Sequence, residues 1–273
     1  MTMRWGGIVA AALLASVCLA AFAGPMLAPM TGASDGIAQD RTIPFAPPGH
    51  NHWLGTDGFG RDEFARLLRG TRVSLAAGVL ATVIALGCGL LLGAAAGYYG
   101  GWRDGLIAWT TELFLSLPWF YLVLALRASL PLTLPETSTL MAIALITGLT
   151  AWPRPSRLVR GIVLSERQRD YVVAARAFGA TGTYLIRRHI LPAVYSVALV
   201  QAVLLLPQFI LAEVTLSFLG LGVGEPTPSL GTMIAALRDL HVLTAYPWMI
   251  APAALLVLVT ACCRILAKSL RQF

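Results

Sequence analysis

Residues 165–192 carry the side chains with the clearest functional spacing, and they form an arginine-rich segment between two long apolar stretches. Four residues recur at i, i+3, i+4 and i+7, which marks one apolar face of a helix: Tyr171, Ala174, Ala175 and Phe178. Two alanines between two aromatic residues shape this face for a groove, because small side chains let a backbone approach closely. The chemistry that the pattern predicts is noncovalent docking onto a soluble partner.

Both ends of this predicted helix are marked in the sequence. Ser165 and Gln168 have the spacing of a capping box at a helix start. Gly179 stands just after the last apolar residue, where a glycine commonly ends a helix. The pattern therefore predicts a helix that begins near Ser165 and ends before Gly179.

Motifs for bond-breaking chemistry are missing from the sequence. A phosphate-binding loop needs Gly-Lys-Ser/Thr, but Lys268 is the single lysine and it follows Ala267. The sequence also lacks a His-Glu-x-x-His zinc motif, and its Gly-x-Ser-x-Gly match at 32–36 has no strand-like run before it, as a nucleophile elbow requires. His50 and His52 alone make a weak metal site. We therefore expect no enzymatic activity and no catalytic, metal-binding or cofactor-binding residue in this chain.

The composition indicates that the segments on either side of the docking segment lie in a membrane. The chain has 273 residues, of which 57% are hydrophobic and 12% charged, and its mean hydropathy is +0.74. A soluble domain would carry about a quarter charged residues. Backbone groups in lipid must be paired within helices or a closed barrel, and the apolar runs here do not alternate as barrel strands do. The sequence thus predicts an all-α, polytopic transmembrane bundle.

Six uncharged runs are the candidate spans: 5–34, 73–102, 113–126, 137–153, 190–212 and 240–263. A spanning helix needs about twenty mostly apolar residues. The third run reaches that length if Glu112 is included, and the fourth if it continues past Pro153 towards Arg160. We predict six spans: one N-terminal helix and a core of five.

The net charge of +7 is a topology signal rather than a sign of nucleic-acid binding. Eight arginines fall between Arg154 and Arg188, where only Glu166 and Asp170 oppose them. An excess of positive charge marks the cytoplasmic side, and six spans put both termini on that side as well. The run from Trp5 imitates a signal peptide, but it is long enough to stay as an anchor.

Three segments follow from these spans. We predict an N-terminal transmembrane helix over 1–30, an external loop with an interfacial helix over 31–72, and a five-helix core over 73–273 with a cytoplasmic coupling loop over 161–192. In the interfacial helix, four arginines should keep their head groups hydrated: Arg61, Arg66, Arg69 and Arg72. Arg127, near the end of the third span, is expected to reach the outer surface.

The motifs resemble those of permease subunits of ABC importers, in the dipeptide, oligopeptide and nickel branch. Ala174-Ala175, Gly179 and Ile190-Leu191-Pro192 have the spacing of that family's "EAA" loop. The external run from Gly55 to Asp62 and the run from Glu225 to Met233 resemble two further signatures of the branch. The chain departs from the pattern at five places: Glu112, Val173, His189, Leu230 and Ala267-Lys268.

The resemblance implies an importer subunit that works with a second permease, two cytoplasmic ATPases and an external substrate-binding protein, in the inner membrane of a bacterium. ATP and Mg²⁺ would bind on the ATPases. The implied ATPase contacts are Asp170, Tyr171, Ala174, Ala175, Arg176, Phe178, Gly179, Arg187, Arg188 and His189. The implied external motif is Gly55, Thr56, Asp57, Gly60, Arg61 and Asp62. Peptides are the expected substrates. A nickel chelate or a self-contained secondary transporter are the alternatives.

Polar residues in the fifth span are candidates for the translocation pathway. Gln201 and Gln208 lie seven residues apart and hence on one helix face, and Pro207 lies beside the second glutamine. Glu213 is an ionisable group in an apolar run, where charge is costly without an aqueous or polar environment. The glutamines either line the pathway or bond neighbouring helices. We expect Glu213 to act in helix packing or as a gate.

Overall fold

The computed structural model of the protein describes residues 5–27 and 36–270. Every regular element in those ranges is helical, which confirms the predicted all-α fold. The twelve α-helices of these ranges are α1 Trp5–Leu27, α2 Glu63–Tyr99, α3 Gly101–Ser116, α4 Trp119–Ala128, α5 Glu136–Ala151, α6 Pro153–Arg167, α7 Asp170–Ala177, α8 Gly182–Leu185, α9 Leu191–Phe218, α10 Leu230–Ala235, α11 Leu240–Ala245 and α12 Ala251–Leu270. A π-turn over Ile186–Ile190 joins α8 to α9.

Four helical segments of the described chain are long and apolar enough to cross a membrane, namely Trp5–Gly24, Glu63–Tyr99, Ile186–Phe218 and Pro247–Leu270. The pair α3 and α4 makes a fifth if it counts as one broken span, with an 84° bend. Helix α5 has 16 residues, about 24 Å of rise, and is short for a hydrocarbon core of about 30 Å. The chain is therefore a multi-pass membrane protein with four to five spans by length and composition, and the predicted number of six is not confirmed.

Prolines explain why the third and fourth predicted spans are interrupted. Leu117 is extended, at φ −81° and ψ 140°, because the residue before a proline is pushed out of the helical region. Helix α3 therefore ends before Pro118, and α4 starts in a new direction. Pro153 and Pro155 likewise lack the N–H groups that would continue the hydrogen bonds of α5. The helical path then resumes as α6.

Helix α2 corrects the prediction of a separate interfacial helix. It runs unbroken for 37 residues from Glu63, and its N-cap Asp62 accepts a hydrogen bond from the Ala65 amide. A helix of this length rises about 55 Å, so its first turns extend beyond a core of about 30 Å. Arg61 and Arg66 are 4% and 3% exposed, so these head groups are not hydrated as predicted. The segment boundaries at 30 and 72 stay predictions.

Helix α2 is the centre of the bundle and packs against α5, α6 and α9. Three glycines spaced four residues apart allow the close approach of α6: Gly89, Gly93 and Gly97. A Cβ on Gly93 would lie 2.4 Å from the Ser156 carbonyl oxygen, and one on Gly97 would lie 2.8 Å from Val163 Cβ. Small residues at helix contacts are how membrane bundles gain packing. This contact positions the C-terminal end of α6 and the segment that follows it.

Candidate functional site

Helix α7 is the observed counterpart of the predicted docking helix, but it starts later than predicted. Ser165 belongs to α6, and the Gln168 amide donates to the Ser165 carbonyl at 3.2 Å, so the two residues form a turn and not a capping box. Helix α7 begins at Asp170, and Arg169 at its N-cap makes no side-chain cap. The start was misplaced because α6 continues to Arg167 along its contact with α2.

The end of α7 agrees with the sequence. Gly179 has φ +83°, a conformation that residues with a Cβ rarely adopt. Its amide donates to the Arg176 carbonyl at 3.0 Å, and the Ala180 amide donates to the Ala175 carbonyl at 3.1 Å. These two bonds form the Schellman arrangement that ends many helices. Gly179 thereby turns the chain back towards α8.

The face of α7 predicted to dock is largely uncovered. Phe178 is 92% exposed and Tyr171 is 49% exposed. Ala174 is exposed and Ala175 is half-buried, whereas Val172 on another side of the helix is fully buried. Asp170 and Arg176 are exposed at the two ends of the same helix. Exposed aromatic surface bordered by charge is typical of a protein contact.

Aromatic and polar contacts connect α7 to the end of α6 and to the π-turn before α9. The Tyr171 hydroxyl donates to Glu166 at the end of α6, and this hydrogen bond raises the pKa of Tyr171. His189 lies between Tyr171 and Tyr184, with ring centroids 5.5 and 5.9 Å away. Arg187 and Arg188 are exposed on the π-turn that leads into α9. The predicted contact residues from Asp170 to His189 thus form one continuous surface segment.

Glu213 lies at a junction of three helices. Its carboxylate accepts hydrogen bonds from the Ser74 hydroxyl of α2 at 2.6 Å and from the Ser217 hydroxyl of α9 at 2.7 Å. The Leu230 amide, in the first turn of α10, donates to the Ser74 oxygen at 3.1 Å. Glu213 and Ser74 are both 0% exposed. A buried acid therefore holds α10 against α2 and α9.

The glutamines have different surroundings. Gln208 lines a cavity of about 460 Å³, together with Trp119 at the α3–α4 break and with Thr260 and Arg264 of α12. It also borders a smaller cavity of about 180 Å³ beside Thr150. Gln201 is half-buried two turns earlier on α9. Of the three candidate pathway residues, Gln208 lies on an open, partly polar surface and Glu213 does not.

The external motif forms a compact loop that begins α2. The Asp57 carboxylate accepts from the amides of Phe59 and Arg61 at 2.8 and 2.9 Å, and Arg61 Nε donates to it at 2.7 Å. The second oxygen of the N-cap Asp62 lies 2.8 Å from His52 Nδ1. Gly55 and Gly60 have φ +67° and +71°. A Cβ on Gly60 would lie 1.7 Å from the Asp40 carbonyl oxygen, so no larger residue fits.

Glu225 begins a run singled out in the sequence by resemblance, but its contact with two arginines was not predicted. Its carboxylate accepts hydrogen bonds from Arg61 and, at 3.2 Å, from Arg66 Nη2. Burial lowers the pKa of Arg61, but its hydrogen bonds to Glu225 and Asp57 outweigh this effect and raise it. Glu225 is 164 residues from Arg61, so no local spacing could have predicted the contact.

Arg127 does not reach the outer surface as predicted. It is 1% exposed, and its Nε and Nη1 atoms have no hydrogen-bond partner among the described residues. The misplacement follows from the bend at Pro118, which turns α4 against α5.

Comparisons of the sequence with known proteins point to one family. The sequence profile of the family described as binding-protein-dependent transport system inner membrane component matches residues 89–272. Oligopeptide transport system permease protein OppC of Mycobacterium tuberculosis is 39% identical over 227 residues, which are 83% of this chain and 76% of the relative. Dipeptide transport system permease protein DppC of Bacillus subtilis is 36% identical over 210 residues, which are 77% of this chain and 62% of the relative.

Proposed function

Because this chain belongs to the family of binding-protein-dependent transport system inner membrane components, we propose that it is a permease subunit of an ATP-driven peptide importer. The observation that carries the proposal is the exposed aromatic face of α7, which lies between α6 and the helical path of α8 and α9. The peptide substrate is proposed from the names of the relatives, two of which are an oligopeptide and a dipeptide permease.

Helix α7 is the proposed ATPase contact. Two residues separate it from α6, and four separate it from α8, which continues through the π-turn into α9. Because these connections are short, a displacement of α7 should also move α6 and α9. ATP binding, by closing an ATPase pair, would move the two helices as rigid bodies and switch the pathway between inward-facing and outward-facing states.

The proposed assembly contains a second permease, two cytoplasmic ATPases and an external substrate-binding protein. ATP and Mg²⁺ bind on the ATPases, and this chain contributes no cofactor site of its own. The assembly lies in the inner membrane of a bacterium with both termini of this chain in the cytoplasm. A cytoplasmic location is predicted for both termini, and residues 1–4 and 271–273 lie outside the described residues.

Gln208 and the polar lining near it are the proposed contribution of this chain to the pathway. The cavity beside Gln208 carries an amide, two threonine hydroxyls and the exposed Arg264. These groups can hydrogen-bond a passing peptide backbone without holding one sequence. Glu213 is the proposed packing or gate residue, since it links α10 to the helix that carries Gln208.

A pair of substitutions on α7 tests the coupling role. Phe178→Ser removes an exposed aromatic side chain from the docking face, whereas Val173→Ser changes a residue that is 52% exposed on the opposite side of the same helix. Each variant is assembled with its partners in proteoliposomes, and ATP-dependent peptide uptake is measured. Phe178→Ser should lower uptake by at least tenfold with normal assembly, and Val173→Ser should leave it within about twofold. Equal effects would contradict a docking role for this face.

A further inference from the structure

A small cavity on the outer side is built around opposite charges. It has a volume of about 280 Å³ and lies between the external motif, the loop that holds Glu225 and the segment from α10 to α12. Two arginines, Arg61 and Arg66, and three carboxylates line it, and Phe59 and Met249 contribute apolar walls. Ligand cavities start at about 300 Å³, so this one suits a ligand of amino-acid to dipeptide size.

The two arginines form a preorganised carboxylate site. Both are buried, and both donate to the same Glu225 carboxylate, Arg66 through Nη2 at 3.2 Å and Arg61 through both Nη atoms. The Glu225 side chain is 50% exposed, in contrast to 4% and 3% for the arginines. The Asp57 carboxylate also holds Arg61 in place by accepting a hydrogen bond from its Nε at 2.7 Å. A rigid pair of guanidiniums thus holds a carboxylate that comes from the solvent side.

Two polar atoms in this lining have no hydrogen-bond partner among the described residues. They are Arg66 Nη1, a buried donor, and Glu63 Oε1, a buried acceptor. The Glu63 side chain is 1% exposed. An unpaired buried polar group is costly, so such atoms need an explanation. The arginine atom can donate to an anionic group and the glutamate oxygen can accept from a cationic group. A zwitterion carries both groups.

We propose that this cavity, defined by Arg61, Glu63, Arg66 and Glu225, is an entry site for short peptides on the outer face. The peptide carboxylate takes the place of Glu225 on the two arginines, and its ammonium group lies towards Glu63. The apolar walls accept a side chain. The inference rests on the proposed peptide import and adds a site where a delivered peptide first contacts this subunit.

Binding of dialanine to the purified permease–ATPase complex, without binding protein and without ATP, tests the inference by isothermal titration. Arg66→Gln should weaken binding by at least tenfold, because it removes a charge-assisted pair. Glu225→Gln should tighten binding severalfold, because the competing carboxylate is gone. Arg238→Gln is the matched control, since Arg238 is exposed, packs over Phe218 at 4.3 Å and does not line the cavity. Dialanine amide and N-acetyl-dialanine should bind more weakly than dialanine.

The opposite signs of the two variants separate ligand binding from damage to the fold, because misfolding cannot tighten binding. Absence of saturable dialanine binding in every complex overturns the inference and leaves the cavity to water. Equal affinity for dialanine and its amide overturns it as well. Failure of the proposed function is a distinct result: the complete transporter with binding protein and ATP then takes up no dialanine, whatever the titration gives.

Discussion

Ser74→Ala should destabilise the bundle more than the loss of one surface hydroxyl would. The Ser74 hydroxyl donates to Glu213 at 2.6 Å and its oxygen accepts from the Leu230 amide at 3.1 Å, so one substitution removes two buried hydrogen bonds. Hydrogen bonds between membrane helices contribute about 0.6–1.7 kcal/mol each. The Leu230 amide and one oxygen of Glu213 then remain buried without these partners, which raises the cost.

The combined loss is about 2 kcal/mol, and the midpoint of thermal unfolding falls by about 2–4 °C per kcal/mol in chains of this size. Ser74→Ala in the purified complex should therefore lower the midpoint, followed by tryptophan fluorescence, by about 4–8 °C. Ser129→Ala is the control, because its exposed hydroxyl donates only to the Leu126 carbonyl of its own helix. A shift for Ser74→Ala no larger than that of the control would refute the three-helix junction around Glu213.

Three other outcomes follow from the packing and topology. Gly93→Val should lower the unfolding midpoint by at least 4 °C, because its Cβ would meet the Ser156 carbonyl oxygen; Gly105→Val, with open space around it, should cost less than half as much. Gly60→Ala should reduce the amount of assembled complex in membranes severalfold, measured by immunoblot, and normal amounts would contradict the tight turn against Asp40. Asp239 and Arg169 are both exposed, and each is replaced singly by cysteine. On intact cells, an impermeant thiol reagent should label position 239 and not position 169; the reverse pattern would contradict the predicted topology.

Local features were predictable from the sequence, and contacts between distant segments were not. The stop at Gly179 depends on backbone conformation within one turn, so composition and spacing suffice to predict it. The predicted start of the same helix was wrong, because α6 packs on Gly93 and Gly97 of α2 and continues past the predicted start. A local capping pattern therefore does not fix a helix start where packing between helices favours a longer preceding helix.

Long-range packing also explains why six spans were not confirmed and why the predicted hydration of the arginines was wrong. Pro118 interrupts the third predicted span, and the direction that α4 takes after it depends on what α4 packs against. Arg61 precedes α2 and Arg66 lies in its first turns, and both donate to Glu225, which lies far along the chain. Glu213 was identified as a packing or gate residue from cost alone, and its partner Ser74 carried no sequence signal.

Photo-crosslinking from α7 tests the central claim most directly. A benzophenone amino acid replaces Phe178, which is 92% exposed, or Phe59 of the external motif, which is 49% exposed. Both variants are expressed with their partner subunits in intact cells and irradiated, and crosslinked partners are identified by mass spectrometry. The account predicts that position 178 crosslinks to an ATP-binding subunit and that position 59 does not. A crosslink to that subunit from position 59 and not from position 178 would contradict it.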